Sequence, residues 1–293
     1  MKPGKFIKIL NYILAVILLA LWSCTFFVHG MAGAVSWALA KLLFAPIGII
    51  LVLFNLILLI ISIIKRKKAA QIIISMLLSI SLAFPILMLM EILQIAYPAN
   101  IDNTVPSITA RWPLKEETTV GWGGDTIRTN APHVIWASER WAYDLLIEPA
   151  DTGSKNLEDY GIYDKEVVAP VSGTIIAAYD EENDILPNTE EFLSMEGNYV
   201  YIKIDETGTF LLLNHLKKGS VLVKAGEHVN EGDIIGKVGN SGSTTEPHLH
   251  IHHQRQNPTE TICLVFAEGL PLYFKDIDGK PMPERGSVIT PLK

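Results

Sequence analysis

Three long apolar runs lie within the first ninety residues, and they constrain the fold more than any other feature of the chain. Residues 9–28, 42–64 and 69–90 carry no charged side chain. Each is about 20 residues long, the length a helix needs to cross a hydrocarbon core of ~30 Å. A helix on the surface of a soluble core keeps a polar face, and these runs show none. Residues 1–97 are therefore expected to form an all-α transmembrane region of three helices in a lipid bilayer. Asn11, Pro46, Asn55 and Pro85 are tolerated there because neighbouring helices satisfy the backbone and amide groups they disturb. The first run is too long for the apolar region of a cleaved signal and is followed by two more, so it is read as retained.

Charge sets an expected orientation. Lys2, Lys5 and Lys8 precede the first run, and Lys65, Arg66, Lys67 and Lys68 separate the second from the third. The segment between the first two runs holds only Lys41, near its end. Lys and Arg concentrate in cytoplasmic loops. The N-terminus and residues 65–68 are thus expected in the cytoplasm, and three spans carry everything after Tyr97 outside it. With no charge inside a run, an ion or proton path through the helices is not expected.

The rest of the chain reads as a different object. Residues 1–68 hold eight Lys and Arg and no acidic residue, which leaves sixteen basic against thirty-one acidic residues, a balance of −15. Phosphate backbones repel such a surface, so nucleic acid is excluded as a partner. The two cysteines, Cys24 and Cys263, lie in different regions and form neither a disulfide framework nor a thiolate metal site. A metal site has to come from His and carboxylates.

Residues 98–107 read as a polar linker, and residues 108–293 as an extracytoplasmic all-β domain. Short Val/Ile/Tyr-rich runs at 166–179, 198–205, 209–215, 221–223, 233–238 and 248–253 alternate with Gly, Pro, Asn and Asp, the pattern of several hairpins. The phrases at 168–175 and 223–236, with Gly173, Gly226, Gly232 and Gly236 at their corners, suit antiparallel sheets of the barrel-sandwich or duplicated-hybrid type. Biotinyl and lipoyl carriers share such phrases, but the Lys that is modified in them sits at a Met-flanked hairpin tip, and no such tip occurs here. Residues 180–197 are acidic, contain Pro187 and read first as a solvated insertion loop and second as a loop that touches substrate. Trp112, Trp122, Trp136 and Trp141 are expected mainly in the core, with one or two of them, not distinguished by the sequence, as walls of a groove for an extended peptide.

His248-Leu249-His250 is the sharpest local signal. Side chains alternate along a strand, so His248 and His250 face the same way. Alone, the pair would be too short to distinguish from two surface histidines. It follows Gly239-Asn240-Ser241-Gly242-Ser243, and Asn214-His215-Leu216 ends another strand. Together with Gly197-Asn198-Tyr199-Val200, Gly232-Asp233 and Gly236, these residues resemble the lysostaphin/LytM-type zinc endopeptidases in order and spacing, over roughly residues 108–275.

The resemblance implies a site. His250 and Asp144 would ligate Zn²⁺. His248 would act as general base and then as acid to the leaving amine, and His215 would stabilise the tetrahedral oxyanion. The substrates implied are the peptide cross-links of bacterial peptidoglycan. One family ligand, a histidine four residues before the aspartate, is Arg140 here. A guanidinium has no lone pair for a metal. His133, in Asn130-Ala131-Pro132-His133, is the first candidate to replace it, and Glu139 the second. The alternative is a metal-free module that binds cell wall or regulates another hydrolase. In it Arg140, four residues from Asp144 on one strand face, takes the metal's place in a salt bridge to Asp144.

Overall fold

The structure is a computed structural model that describes residues 3–94, 96–261, 263 and 266–292. The chain divides into two compact units, Met1–Ala99 and Asn100–Lys293.

The first unit is helical: α1 (Pro3–Phe27), α2 (Met31–Ala38), a π-helical turn (Leu39–Phe44), α3 (Ala45–Ile64), α4 (Ala70–Ala83) and α5 (Ile86–Leu89). Three stretches are long and apolar enough to cross a membrane: Lys5–Phe27, Met31–Ile64 and Ala70–Leu89. The second starts earlier than expected. Residues 31–41 are mostly good helix formers, so only a short turn at Gly30, with φ 75°, separates it from the first. Lys41 is therefore not in a loop. It lies in the π turn, 1% exposed, with its ammonium 5.7 Å from the centre of the Trp37 ring. This corrects the expectation of charge-free helices. At 1.5 Å per residue the helix is about 50 Å long, more than the ~30 Å of a hydrocarbon core. Polar and small residues join the helices, as they do where lipid removes the hydrophobic drive. Asn55 Nδ2 donates to Ser79 Oγ at 3.1 Å, Asn11 Nδ2 donates to the Gln71 carbonyl at 3.0 Å, and a Cβ at Gly48 would lie 2.4 Å from the Ala83 nitrogen.

The second unit is built on strands β1 (Ile108–Arg111), β2 (Thr118–Trp122), β3 (Tyr143–Leu146), β4 (Glu166–Val168), β5 (Gly173–Tyr179), β6 (Asn198–Ile204), β7 (Phe210–Leu216), β8 (His228–Val229), β9 (Ile234–Lys237), β10 (Leu249–Gln254), β11 (Leu272–Lys275) and β12 (Val288–Ile289), with a short α-helix, α6 (Ile127–Val134), and 3-10 turns at Ile101–Asn103 and Leu157–Asp159. Eight strands form an antiparallel sheet in the order β12-β2-β3-β10-β7-β6-β5-β8, and β1-β11 and β4-β9 form two further pairs. The pair β1-β11 is parallel, unlike the rest, because its strands come from opposite ends of the unit and no hairpin joins them. Residues 221–223 form no strand, although Leu222 N donates to Ile235 O at 3.0 Å.

Period-two alternation separates the two faces of the large sheet. Val200, Ile202, Leu211, Leu213, Leu249 and Ile251 enter one core with Val167 and Ile235 from β4-β9 and with Ala110, Leu272 and Phe274 from β1-β11. Each aliphatic side chain so buried contributes about 1.5–3 kcal/mol. The residues between them, Asn214 on β7 and His250 and His252 on β10, occupy the opposite face.

Candidate functional site

Strand register brings the first two groups together. On β10, His250 stands opposite Asp144 of β3 on one side and opposite Asn214 of β7 on the other. Its Nδ1 lies 2.9 Å from Asp144 Oδ1. His133 arrives from α6, and its Nε2 lies 3.3 Å from Asp144 Oδ2. One ligand atom from each of His133, Asp144 and His250 falls within 4.8 Å of the others. Two imidazole nitrogens and a carboxylate oxygen form a donor set that suits Zn²⁺ and leaves a tetrahedral position open.

The His133 ring is fixed from behind. Asn130 Nδ2 donates to the carbonyls of Gly124 and Ala142, both at 3.0 Å, which leaves Asn130 Oδ1 to accept from His133 Nδ1 at 2.7 Å. The proton of a neutral His133 is then on Nδ1, and the Nε2 lone pair faces Asp144. Asn130 departs from helical geometry, with φ −146°; this breaks α6 just before Pro132 and lets the next turn aim His133 inward.

His215 and His248 stand beside this group. His248 Nε2 is 3.6 Å from Asp144 Oδ1, and the His215 and His248 rings are 4.7 Å apart between centres. Each Nδ1 faces a backbone carbonyl: Ser241 O at 2.8 Å for His215 and Glu246 O at 2.8 Å for His248. A carbonyl only accepts, so both Nδ1 atoms carry the proton and both Nε2 atoms present lone pairs when the rings are neutral. His215 is held at φ 62°, a conformation uncommon for a non-glycine residue. The five groups line a groove of about 560 Å³ with Trp122, Trp136 and Glu139 among its walls.

Electrostatics follow from this packing. Burial alone raises the Asp144 pKa, but the charges of His133 and His248 and hydrogen bonds from His133 and His250 take it well below the usual carboxylate range. Burial opposes a charge on His133, yet Asp144, with help from Glu139, brings its pKa above the ordinary histidine value. Burial, reinforced by His248 and His250, holds His215 well below it. Burial also lowers His248, against the pull of Asp144.

Arg140 does not reach Asp144. It lies in a turn before β3, so the strand alternation assumed from the sequence does not apply to it. Its side chain is 1% exposed and its Nη2 lies 2.7 Å from Asp125 Oδ1, with Nη1 donating to the Asp125 carbonyl at 2.9 Å. Trp141 Nε1 donates to the same carboxylate oxygen at 2.8 Å. The salt bridge that the metal-free alternative requires is not formed.

Other expectations divide. Trp112 and Trp141 are buried as expected, whereas Trp122 and Trp136 line the groove. Asn198 is structural, donating to Glu182 O at 2.8 Å and to Leu216 O at 3.1 Å. Residues 180–197 are more than a solvated loop. Glu182 is 3% exposed and accepts from Leu193 N at 2.9 Å and Ser194 Oγ at 2.7 Å, and Met195 and Glu196 form part of the groove wall. His252 lies behind His250, Nδ1 to Nε2 at 2.9 Å. Its place at the third alternate position after His248 and His250 was the available signal.

Residues 159–260 match the model of peptidase family M23. The chain carries a peptidase family M23 domain. The match spans His215, His248 and His250 but begins after His133 and Asp144, so the geometry alone brings those two residues into the site. Over 109 residues the chain is 40% identical to the peptidoglycan DD-endopeptidase ShyC of Vibrio cholerae, covering 36% of this chain and 23% of that protein. Over 89 residues it is 35% identical to the peptidoglycan DD-endopeptidase ShyA of the same organism, covering 28% and 20%. The chain thus spans under a quarter of the length of these relatives. Among solved structures, the catalytic domain of lysostaphin from Staphylococcus simulans aligns at 20% identity with a TM-score of 0.30, covering 52% of this chain and 86% of that one.

Proposed function

We propose that this protein is a membrane-anchored, zinc-dependent endopeptidase that hydrolyses peptide cross-links of bacterial peptidoglycan. The observation that carries the reading is the convergence of His133, Asp144 and His250 in one groove that His215 and His248 also line. The M23 domain and its endopeptidase relatives support the same chemistry. The apolar helices Lys5–Phe27, Met31–Ile64 and Ala70–Leu89 would hold residues 1–97 in the bilayer, with residues 98–107 as tether and 108–293 as the extracytoplasmic peptidase domain. The basic residues at 65–68 support a cytoplasmic N-terminus, which after three spans would put the β domain on the wall side of the membrane.

In this reading His133 Nε2, His250 Nδ1 and an Asp144 oxygen hold the cation. A bound Zn²⁺ supplies Lewis acidity, polarising the scissile carbonyl and lowering the pKa of water toward ~7. His248, kept neutral by burial, takes a proton at Nε2 and returns it to the leaving amine. His215 serves the oxyanion only once it carries a second proton at Nε2, because its first is committed to Ser241 O. Burial opposes that proton in the resting site, and the negative charge of the developing oxyanion favours it. The groove walls, Trp122 and Trp136 among them, would orient an extended peptide.

The test is zinc content and peptidoglycan cleavage of the full-length protein in detergent, beside His133→Ala. About one zinc per chain with cross-link hydrolysis, both lost in the variant, is expected. A wild-type protein that takes up no zinc and cleaves nothing would establish the metal-free module instead.

A further inference from the structure

Behind His250, on the side away from Asp144, runs a line of hydrogen bonds that the chemistry proposed above does not use. His250 Nε2 lies 2.9 Å from His252 Nδ1. His252 Nε2 lies 3.3 Å from Gln254 Oε1. Gln254 Nε2 donates to the backbone carbonyl of Gln256 at 2.7 Å. His252 is 4% exposed and Gln254 fully buried.

The polarity of this line follows from its last member. The Gln256 carbonyl can only accept, so the Gln254 amide must turn its NH₂ toward it and its Oε1 toward His252. Oε1 in turn can only accept, so His252 carries its proton on Nε2. With that proton on Nε2, Nδ1 of His252 is the ring nitrogen left to accept. Nδ1 then takes the proton of His250 Nε2, so that Nδ1 of His250, which without a metal meets Asp144 Oδ1 through a proton, is the nitrogen whose lone pair a cation would take over by displacing that proton. Alternation along β10 makes this arrangement: residues 250, 252 and 254 share a face, each within reach of the next.

The geometry points to His252 as a positioning residue that, oriented by Gln254, fixes the tautomer and ring angle in which His250 offers Nδ1 to the cation. This rests on the metal-site reading of His133, Asp144 and His250. A ligand imidazole whose second nitrogen is left unpaired loses both orientation and basicity, and disrupting such partners typically costs about 10–100-fold in metal affinity.

The test uses the full-length protein in nanodiscs, with zinc affinity read by chelator competition. His252→Phe, similar in shape but unable to accept, is expected to bind zinc about 10–100-fold more weakly. His252→Gln, whose amide oxygen still accepts from His250 Nε2, is expected to stay near wild type. Unchanged affinity in His252→Phe overturns the inference, as does an equally large loss in both variants, which would make His252 a packing residue. Histidine side-chain ¹⁵N spectra of the wild-type protein give a reading that needs no variant. The expected His252 signal is the Nε2–H tautomer, and Nδ1–H overturns the inference. Failure of the metal site itself looks different: wild type and His250→Ala alike bind no zinc, while the His252 tautomer stays readable in the metal-free protein.

Discussion

Arg140 is held by Asp125, Nη2 to Oδ1 at 2.7 Å, and not by Asp144. The guanidinium also lies over Trp141, 4.7 Å from the ring centre. The residue that stands where the resemblance implies a ligand is thereby withdrawn, and Asp144 stays available to His133 and His250.

Asp125→Ala leaves the buried guanidinium of Arg140 without its carboxylate. Arg140 keeps its charge at any working pH. Asp125 is itself 39% exposed, so solvent screens part of the loss. Destabilisation by roughly 1.5–3 kcal/mol, the range for hydrogen bonds to charged groups, is expected, measured as a lowered thermal midpoint of the metal-free protein. An unshifted midpoint would show that the pair contributes nothing.

Asn130→Ala removes the acceptor that holds the His133 proton on Nδ1. Zinc affinity should fall about 10–100-fold, whereas Thr129→Ala, at a half-buried neighbour whose hydroxyl bonds Thr126, should leave it near wild type. Chelator competition reads both. Equal affinities in the two variants would remove Asn130 from the site.

Glu182 is the anchor of residues 180–197. It accepts from Leu193 N, Ser194 N and Ser194 Oγ, while Leu193 and Met195 stay exposed at 86% and 63%. Glu182→Ala should free the segment, speeding its cleavage in limited proteolysis. Glu190→Ala, an exposed neighbour, should not. If both cut at the wild-type rate, the anchor lies elsewhere.

His253 makes stability depend on pH. Burial, opposed by the Pro271 carbonyl and aided by Arg255, lowers its pKa to about 3, while an unfolded chain protonates histidine near ~6.5. Between these values the unfolded state binds more protons, so stability is complete above pH ~6.5 and declines as pH falls toward 3. His253→Gln keeps hydrogen-bonding groups facing Thr209 and Pro271 and should make that acid limb shallower without abolishing it, because burial lowers His215, His248 and His252 too, in denaturation curves recorded from pH 7 to pH 4. An identical slope would show that His253 is not the group responsible.

Local pattern made much of this legible. Length and lack of charge marked three apolar helices, because the spacing of charged residues is a property of the chain itself. Alternation placed His248 and His250 on one face, and the linked Gly, Asn and His motifs carried the family resemblance. Asn130-Ala131-Pro132-His133 pointed to His133, which the structure brings to within 3.3 Å of Asp144, although not to the amide that orients it.

Tertiary structure decided what local pattern cannot encode. The register that sets His250 opposite both Asp144 and Asn214 pairs residues about a hundred and about forty positions apart. The turn that hands Arg140 to Asp125 breaks the strand alternation on which the metal-free reading depended. Lys41 entered a helix because the turn before it needs few residues. His252 and Gln254 acquired a direction only through a backbone carbonyl at Gln256. The reason is clearest in the first two: spacing along a chain fixes which residues share a face, whereas residues far apart in the chain find their partners only when separate segments pack.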